Sequence, residues 1–304
     1  MQKIIIIVGP TAVGKTALSL ALADKLKTEI ISADSVQIYK HLDIGSAKPT
    51  IEEMGGIPHH LIDCVEPTEV FSVSDYATLA KAEIRRLHDA DKIPIVVGGT
   101  GLYVNSLIYD MNFGASPADD AFRLHLEALA KNEGNTAVHD RLTCVDPVAA
   151  ARIHPNNLKR VIRALEVNHI TGKPFADFAV EPSKTKDYEV VLIGLTRPRD
   201  ILYDRINERV GLMIEAGLID EVKKLKNSGL NDRYQSMQGI GYKEVLSYLD
   251  GRTSYDEMVD RVRQGSRNYA KRQMTWFKRY EGIHFIDLQE VSTEEALREI
   301  LSMI

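Results

Sequence analysis

The stretch GPTAVGKT, residues 9–16, constrains the fold of this chain more than any other feature of its sequence. The apolar run KIIIIV precedes it, and ALSLALADKL, with the apolar spacing of a helix, follows it. Glycines let successive backbone N–H groups turn toward one anion, and the N-terminus of the following helix adds its positive dipole end. The pattern therefore predicts a strand, a phosphate-binding loop and a helix.

We predict that every residue of this loop belongs to the phosphate site. Lys15 adds a positive charge toward the terminal phosphate, and Thr16 offers its hydroxyl to Mg²⁺. A glycine-rich turn that only joins strand to helix is the less favoured interpretation in this context. The loop residues are Gly9, Pro10, Thr11, Ala12, Val13, Gly14, Lys15 and Thr16.

Four further apolar runs predict more strands, at residues 29–32, 60–65, 93–97 and from about residue 190. Helical patterns lie between the early runs, so strands and helices alternate. This alternation is typical of an α/β fold with a doubly wound parallel sheet, here of the P-loop NTPase-like type.

The alternation stops between residue 112 and about residue 186, where SPADD, VDP, IHPNN and TGKP mark helix starts and stops. A chain of 304 residues fits one core domain that carries an insertion. We therefore predict a first part of the core at 1–111 and a helical insertion at 112–186. Residues 187–304 would complete the core and add C-terminal helices.

Composition excludes several classes of protein. No apolar run approaches the roughly 18 residues of a membrane span, and no secretory signal pattern is present, so we expect a cytoplasmic protein. Cys64 and Cys144 lie far apart, which argues against a disulfide framework and a cysteine-based zinc site.

The net charge of −5 does not suggest a nucleic-acid partner, but residues 261–279 carry seven Lys and Arg and no acidic residue. Such a segment would either grip RNA phosphates or form a solvated charged face with its aromatic residues packed inward. Composition alone leaves both interpretations open.

Two other predicted strands end in residues able to do chemistry. Asp34, in SADSVQIY, would lie in the same crevice as the phosphate loop, as a general base, a magnesium-binding carboxylate or only a helix N-cap. Thr100, in VVGGTGLY, is the one hydrogen-bonding side chain in a loop that could also be a simple tight turn. At this point a small-molecule kinase fits equally well.

Six stretches taken together decide between these interpretations. GPTAVGKT, DSVQIY, GGTGLY, VDPVAAARIHPNNLKRVIRALEV, QGIGYKE and RNYAKRQMTWF occur in the order, and at nearly the separations, of the bacterial tRNA dimethylallyltransferase family. The chain resembles that family over almost its whole length.

The resemblance implies transfer of a dimethylallyl group from dimethylallyl diphosphate to N6 of the adenosine 3′-adjacent to the anticodon. The tRNAs would be those that read codons beginning with U, and diphosphate would leave. A P-loop small-molecule kinase is the alternative. So is an adenylate isopentenyltransferase acting on free nucleotide, although those relatives mostly lack a long tRNA-gripping insertion.

By resemblance, Asp34 would take the proton from N6, Thr100 would orient the amine or the base, and Arg209 would contact the diphosphate. Mg²⁺ is the implied cofactor, with Thr16 as its protein ligand. The implied partners are the tRNA anticodon stem-loop and dimethylallyl diphosphate, with no membrane, and we expect a monomer.

The resemblance also implies a set of tRNA-binding residues. The adenosine must leave its stack to react, and Gln37 suits two-point recognition of an adenine edge. The set consists of Asp34, Ser35, Val36, Gln37, Thr100, Arg123, Lys159, Arg160, Val161, Ile162, Arg163, Gln238, Gly239, Arg267, Lys271 and Arg272.

Overall fold

A computed structural model describes residues 1–111, 119–175 and 183–304 of the chain. The chain divides into two compact units, one formed by Met1–Tyr109 with Thr185–Ile304 and the other by Asp110–Lys184. The second unit overlaps the segment 112–186 in which the sequence predicts a helical insertion, but it ends at Lys184.

The first unit contains a six-stranded sheet in the order β3-β2-β4-β1-β5-β6. Every pairing in it is parallel, and β1 lies between β4 and β5. The predicted doubly wound parallel sheet is therefore confirmed. The strands are β1 Lys3–Val8, β2 Ile30–Ala33, β3 His59–His60, β4 Ile95–Gly98, β5 Glu189–Thr196 and β6 His284–Asp287.

Twelve α-helices lie in the described residues, four of them (α4 to α7) in the second unit. A short 3₁₀ helix at Ser236–Gln238 precedes α10. The α-helices are α1 Lys15–Leu26, α2 Val73–Asp89, α3 Gly101–Ile108, α4 Asp120–Glu133, α5 Asn135–Val145, α6 Pro147–Arg152, α7 Leu158–Thr171, α8 Arg199–Glu215, α9 Leu218–Asn227, α10 Tyr242–Leu249, α11 Tyr255–Phe277 and α12 Thr293–Leu301.

The continuous apolar run of β1 follows from burial of the sheet on both faces. Successive side chains of a strand point to opposite faces, so Ile4 and Ile6 enter one core and Ile5 and Ile7 the other. Helices α2, α3, α9, α10 and α11 contribute buried residues to the first core, and α1, α8 and α12 contribute to the second. A strand covered on both sides has no polar face, as is typical of parallel sheets.

The strand predicted at 60–65 is wrong. The paired segment is only β3, because Leu61 and Asp63 have φ angles of 59° and 54°, which an extended strand does not allow. Beyond β3, Val65 forms an isolated parallel bridge with Tyr39, and neither residue belongs to a strand of the sheet. The edge strand β6 was not predicted from the sequence.

In its described residues, the second unit contains helices α4 to α7 around a small core that includes Leu126, Leu142 and Val161. Asp119 begins α4 by accepting a hydrogen bond from the Phe122 N–H group at 2.9 Å. Among the described residues, no helix of the chain is long and apolar enough to span a bilayer.

Candidate active site

The phosphate loop lies between the carboxyl end of β1 and the first turn of α1. Gly14 has a φ of 117°, which disfavours any residue with a Cβ, and the Val13 N–H group bonds to the Pro10 oxygen at 3.3 Å. In the described part of the chain, the N–H groups of Gly14, Lys15 and Thr16 have no acceptor. Unpaired donors at a helix N-terminus form an anion-binding site.

The side chain of Lys15 folds back over this loop. Its Nζ donates hydrogen bonds to the Gly9 and Pro10 oxygens, both at 2.9 Å. Burial, and after it the nearby charge of Arg209, lowers the pKa of Lys15 to about 8, while Asp34 opposes the shift. The lysine therefore places a titratable positive charge at the centre of the loop.

Three arginines hold consecutive residues of the loop from the other side. The Arg209 guanidinium donates to the Thr11 hydroxyl. Arg205 Nε donates to the Ala12 oxygen at 2.9 Å and Arg197 Nε to the Val13 oxygen at 3.0 Å. Burial lowers the pKa of Arg209. Of these three arginines, only Arg209 is predicted from the sequence to contact the phosphate groups. The sequence signal for Arg205 was its position on α8, one helical turn before Arg209.

Asp34 and Thr100 are brought together at the carboxyl ends of β2 and β4. Asp34 Oδ1 accepts the N–H groups of Val36 at 2.9 Å and Gln37 at 3.3 Å, so this oxygen stabilises the turn. Its Oδ2 has no hydrogen-bond partner within the described ranges. The Thr100 hydroxyl accepts the Ser35 N–H group at 3.0 Å and lies 3.2 Å from the Ser35 hydroxyl.

Two cavities meet at this point. The larger, about 450 Å³, contains the phosphate loop, and the smaller, about 290 Å³, extends away from it. Both are lined by Thr11, Asp34, Ser46 and Arg209. Six aliphatic side chains line part of the smaller cavity, namely Val36, Ile206, Val210, Met213, Ile240 and Val262. The rest of its lining is polar or charged and includes Gln238, Lys243, Ser266, Tyr269 and Arg272. This arrangement suits a ligand with an anionic head and an apolar tail.

Gln37 and Gln238 line these cavities, but their amide groups are engaged with the protein. Gln37 Nε2 donates to the Ser46 oxygen at 3.2 Å and the Ala47 oxygen at 3.1 Å. Gln238 Nε2 donates to the Asp232 oxygen. Recognition of an adenine edge by Gln37 would require these bonds to be exchanged, so its predicted role stays a prediction.

The basic residues of α11 fall into two groups. Arg261 pairs with Glu257 at 2.6 Å, and Arg267 donates to the Asn207 side chain at 2.6 Å. Lys271 is exposed without an ion-pair partner in the described residues, and the exposed Arg272 lies over the Tyr269 ring, 5.7 Å from its centre. The contacts of Arg261 and Arg267 support the solvated-face interpretation for those two residues, and RNA binding by Lys271 and Arg272 stays a prediction.

The residues predicted in the helical unit differ in exposure. Lys159 and Arg160 are exposed, whereas Val161 and Ile162 have 0% and 4% of their surface exposed and lie in the core of the unit. Because these two side chains are buried, the structure corrects the expectation that they present a surface to RNA.

Arg123 and Arg163, the other two residues predicted in this unit, converge on the buried carboxylate of Glu166. Arg123 Nε lies 2.7 Å and Arg163 Nη1 lies 2.6 Å from its oxygens. Burial alone would raise the pKa of Glu166, but Arg123, the Asp119 N–H group and Arg163 bring it below its ordinary value. The two arginines therefore also have a structural role in the unit.

A divalent cation fits the residues that are present. Thr16 is exposed in the first turn of α1, next to the unpaired N–H groups. Within the described ranges, no group of three or more His, Cys, Asp or Glu side chains forms a metal cluster. A cation there would complete its oxygen ligands from a bound phosphate group and water.

The fold and the site define an α/β protein whose phosphate-binding loop opens onto a second cavity that is lined in part by aliphatic side chains. The chain matches the model of the IPP transferase family over residues 37–280, and it belongs to that family.

Curated relatives match the chain over nearly their full length. The tRNA dimethylallyltransferase of Alkaliphilus oremlandii is 53% identical over 300 residues, which cover 99% of this chain and 96% of the relative. That of Geobacillus kaustophilus is 51% identical and covers 99% and 95%. The chain is therefore similar to enzymes of one kind from end to end.

Solved structures agree with this likeness. The tRNA isopentenylpyrophosphate transferase of Bacillus halodurans is 48% identical, with a TM-score of 0.75 over 100% of this chain and 95% of its own. A eukaryotic dimethylallyltransferase acting on tRNA is 29% identical, with a TM-score of 0.83 over 99% and 80%.

Proposed function

We propose that this protein transfers a dimethylallyl group from dimethylallyl diphosphate to N6 of the adenosine 3′-adjacent to the anticodon, in tRNAs that read codons beginning with U. One observation carries the proposal: a phosphate cavity and a cavity with an aliphatic part meet, and Asp34 lies in the wall that they share. The names of the curated relatives support the same activity.

The reaction follows from the geometry of this shared wall. The diphosphate occupies the phosphate loop, where the free N–H groups, Lys15 and Arg209 neutralise its charge. As N6 attacks the allylic carbon, the carbon–oxygen bond breaks and negative charge develops on the departing diphosphate. Preorganised donors around the leaving group stabilise that charge in the transition state.

The proton released from N6 goes to Asp34, whose Oδ2 has no other partner in the described part of the chain. The other carboxylate oxygen, Oδ1, accepts hydrogen bonds from the Val36 and Gln37 N–H groups, and these bonds fix the carboxylate in place. Thr100, bonded to the Ser35 backbone, orients the amine from the neighbouring loop. A divalent cation, which we propose to be Mg²⁺ held by Thr16, would supply further charge neutralisation when bound.

The remaining predicted residues complete the proposal. The tRNA anticodon stem-loop would contact the turn at residues 34–37, and Gln238 and Gly239 at the smaller cavity. It would also contact Arg267, Lys271 and Arg272 on α11. Arg123, Lys159, Arg160 and Arg163 would bind tRNA from the helical unit. We place the activity in the cytoplasm and expect the protein to act as a monomer.

The experiment is incubation with dimethylallyl diphosphate, labelled in the allylic group, Mg²⁺ and an unmodified tRNA of the stated class. We expect label in the RNA, and none when guanosine replaces the adenosine next to the anticodon. Label in AMP instead of tRNA would assign the free-nucleotide reaction. Phosphoryl transfer from ATP to a small molecule, with no prenylated product, would contradict the proposal.

A further inference from the structure

Gln273 joins the two loops on which the proposed reaction depends. It lies on α11 with 5% of its surface exposed. Its Oε1 accepts the N–H group of Thr11, in the phosphate loop, at 2.9 Å, and its Nε2 donates to the oxygen of Gly99 at 3.0 Å. One side-chain amide thus spans from the loop after β1 to the loop after β4.

The loop after β4 is shaped to receive this amide. A Cβ atom on Gly99 would lie 2.1 Å from Gln273 Nε2, so no larger residue fits without displacing the glutamine. Thr11 is also held by Arg209 through its hydroxyl. The first turn of the phosphate loop is therefore fixed from α8 and α11 together.

In the proposed reaction, the separation of these two loops helps to set the distance between the two reacting groups. One loop holds the diphosphate in the proposed reaction, and the other carries Thr100 one residue beyond Gly99. Reacting atoms must approach to about 3–3.5 Å, and a misplacement of about 1 Å can cost about 10²-fold in rate. A buried amide bonded at both ends is a rigid spacer for this purpose.

The same helix carries the surface proposed to meet RNA. Arg272 lines the smaller cavity beside Gln273, and Lys271 is exposed one residue earlier. A shift of α11 on RNA binding would therefore reach both loops through one side chain.

On the basis of the proposed function, we propose that Gln273 is a positioning residue that fixes the leaving diphosphate relative to the attacking amine. It lines neither cavity, and its amide bonds the two backbone groups, so it acts through the loops and not by contact with either substrate. Gln273 increases the rate at which the bound substrates react, and its replacement leaves the affinity for tRNA unchanged.

The first test is Gln273→Met, which keeps the length and volume of the side chain but neither hydrogen bond. We expect kcat to fall about 10- to 100-fold at saturating donor and tRNA, with the KM for tRNA within about threefold of the wild type. The control is Gln235→Met. Gln235 also bonds a backbone N–H group and oxygen, those of Phe71 at 3.3 and 2.9 Å, but lines neither cavity.

The second test is Gln273→Glu, which separates positioning from simple packing. A carboxylate accepts the Thr11 N–H group but cannot donate to Gly99, whereas a protonated carboxyl does both. The ratio of variant to wild-type kcat should therefore rise as the pH is lowered, and the same ratio for Gln273→Met should stay flat.

The outcomes separate this proposal from the proposed function. If the wild type prenylates tRNA but Gln273→Met turns over within about threefold of it, or no more slowly than Gln235→Met, the positioning role is wrong and the function stands. A flat pH ratio for Gln273→Glu would also overturn the role. Absence of transfer by the wild type would overturn both.

Discussion

The ammonium group of Lys15 donates a hydrogen bond to the Gly9 oxygen at 2.9 Å, so the charge of this lysine lies inside the phosphate loop. Burial lowers its pKa to about 8, well below the ordinary value of 10.5. The group is charged below that pKa and neutral above it. A bound anion favours the charged form of Lys15, so anion binding at a pH near this pKa is coupled to the uptake of a proton by the lysine.

We therefore expect the affinity for inorganic diphosphate, measured by calorimetry with Mg²⁺, to fall as the pH rises from about 7 to about 9.5. Lys15→Gln should bind diphosphate more weakly at pH 7 and show a flatter dependence. Because diphosphate itself titrates, the informative quantity is the difference between the two proteins at each pH. A constant difference across the range would contradict this assignment.

Asp34→Asn separates the two roles of this carboxyl group. Asparagine keeps an oxygen for the Val36 and Gln37 N–H groups, so the turn is retained, but it cannot take a proton. We expect kcat for prenyl transfer to fall by about 10²- to 10⁴-fold. Diphosphate and tRNA affinities should stay within a few fold, and an unchanged kcat would exclude Asp34 as the base.

The strand, loop and helix at the start of the chain were predictable because their signals are local. An apolar run buried on both faces, glycines where a Cβ is disfavoured and a run of helix-favouring residues each leave a mark on consecutive residues. Strand β6 leaves no such mark, since it has four residues at the sheet edge and Phe285 remains 38% exposed. The error at 60–65 arose because a run rich in apolar residues does not reveal the positive φ of Leu61.

The site was predictable only as far as its motifs reach. Asp34 and Thr100 follow strands, so parallel-sheet geometry brings them to the same edge. Gln273 lies 262 residues from its partner Thr11, and Arg197 lies 184 residues from Val13. Contacts between such distant segments are set by tertiary packing, and no local pattern encodes them.

The unpaired cations of α11 should contribute more to RNA binding than its paired ones. We expect Lys271→Ala combined with Arg272→Ala to weaken tRNA binding and to lower the slope of log affinity against log salt by about one for each RNA phosphate that is no longer bound. Arg261→Ala is the matched control, because Arg261 is bonded to Glu257 at 2.6 Å. Filter binding over a salt series measures both the tRNA affinity and its salt slope. Equal losses of affinity in the double variant and in Arg261→Ala would contradict the idea that the unpaired cations contribute more than the paired ones.

Glu166 should make the stability of the helical unit depend on pH. Its carboxylate holds Arg123 and Arg163, and its pKa in the folded protein lies below the ordinary 4.5. The unfolded chain thus takes up its proton first as the pH falls. The stabilisation is present above about pH 4.5 and is lost as the pH falls through the lower folded pKa.

Replacing Glu166 with Gln tests this directly, because the amide is neutral at every pH and leaves the arginines incompletely bonded. We expect a loss of about 1–3 kcal/mol in the free energy of unfolding at pH 7, measured by urea denaturation of the full chain. The difference in the free energy of unfolding between the variant and the wild type should become smaller in acid, where the wild-type carboxyl is also neutral. Glu127→Gln, at an exposed position of α4, should show little change at either pH. A gap that stays constant from pH 7 into acid would mean that the charge of Glu166 does not stabilise the unit.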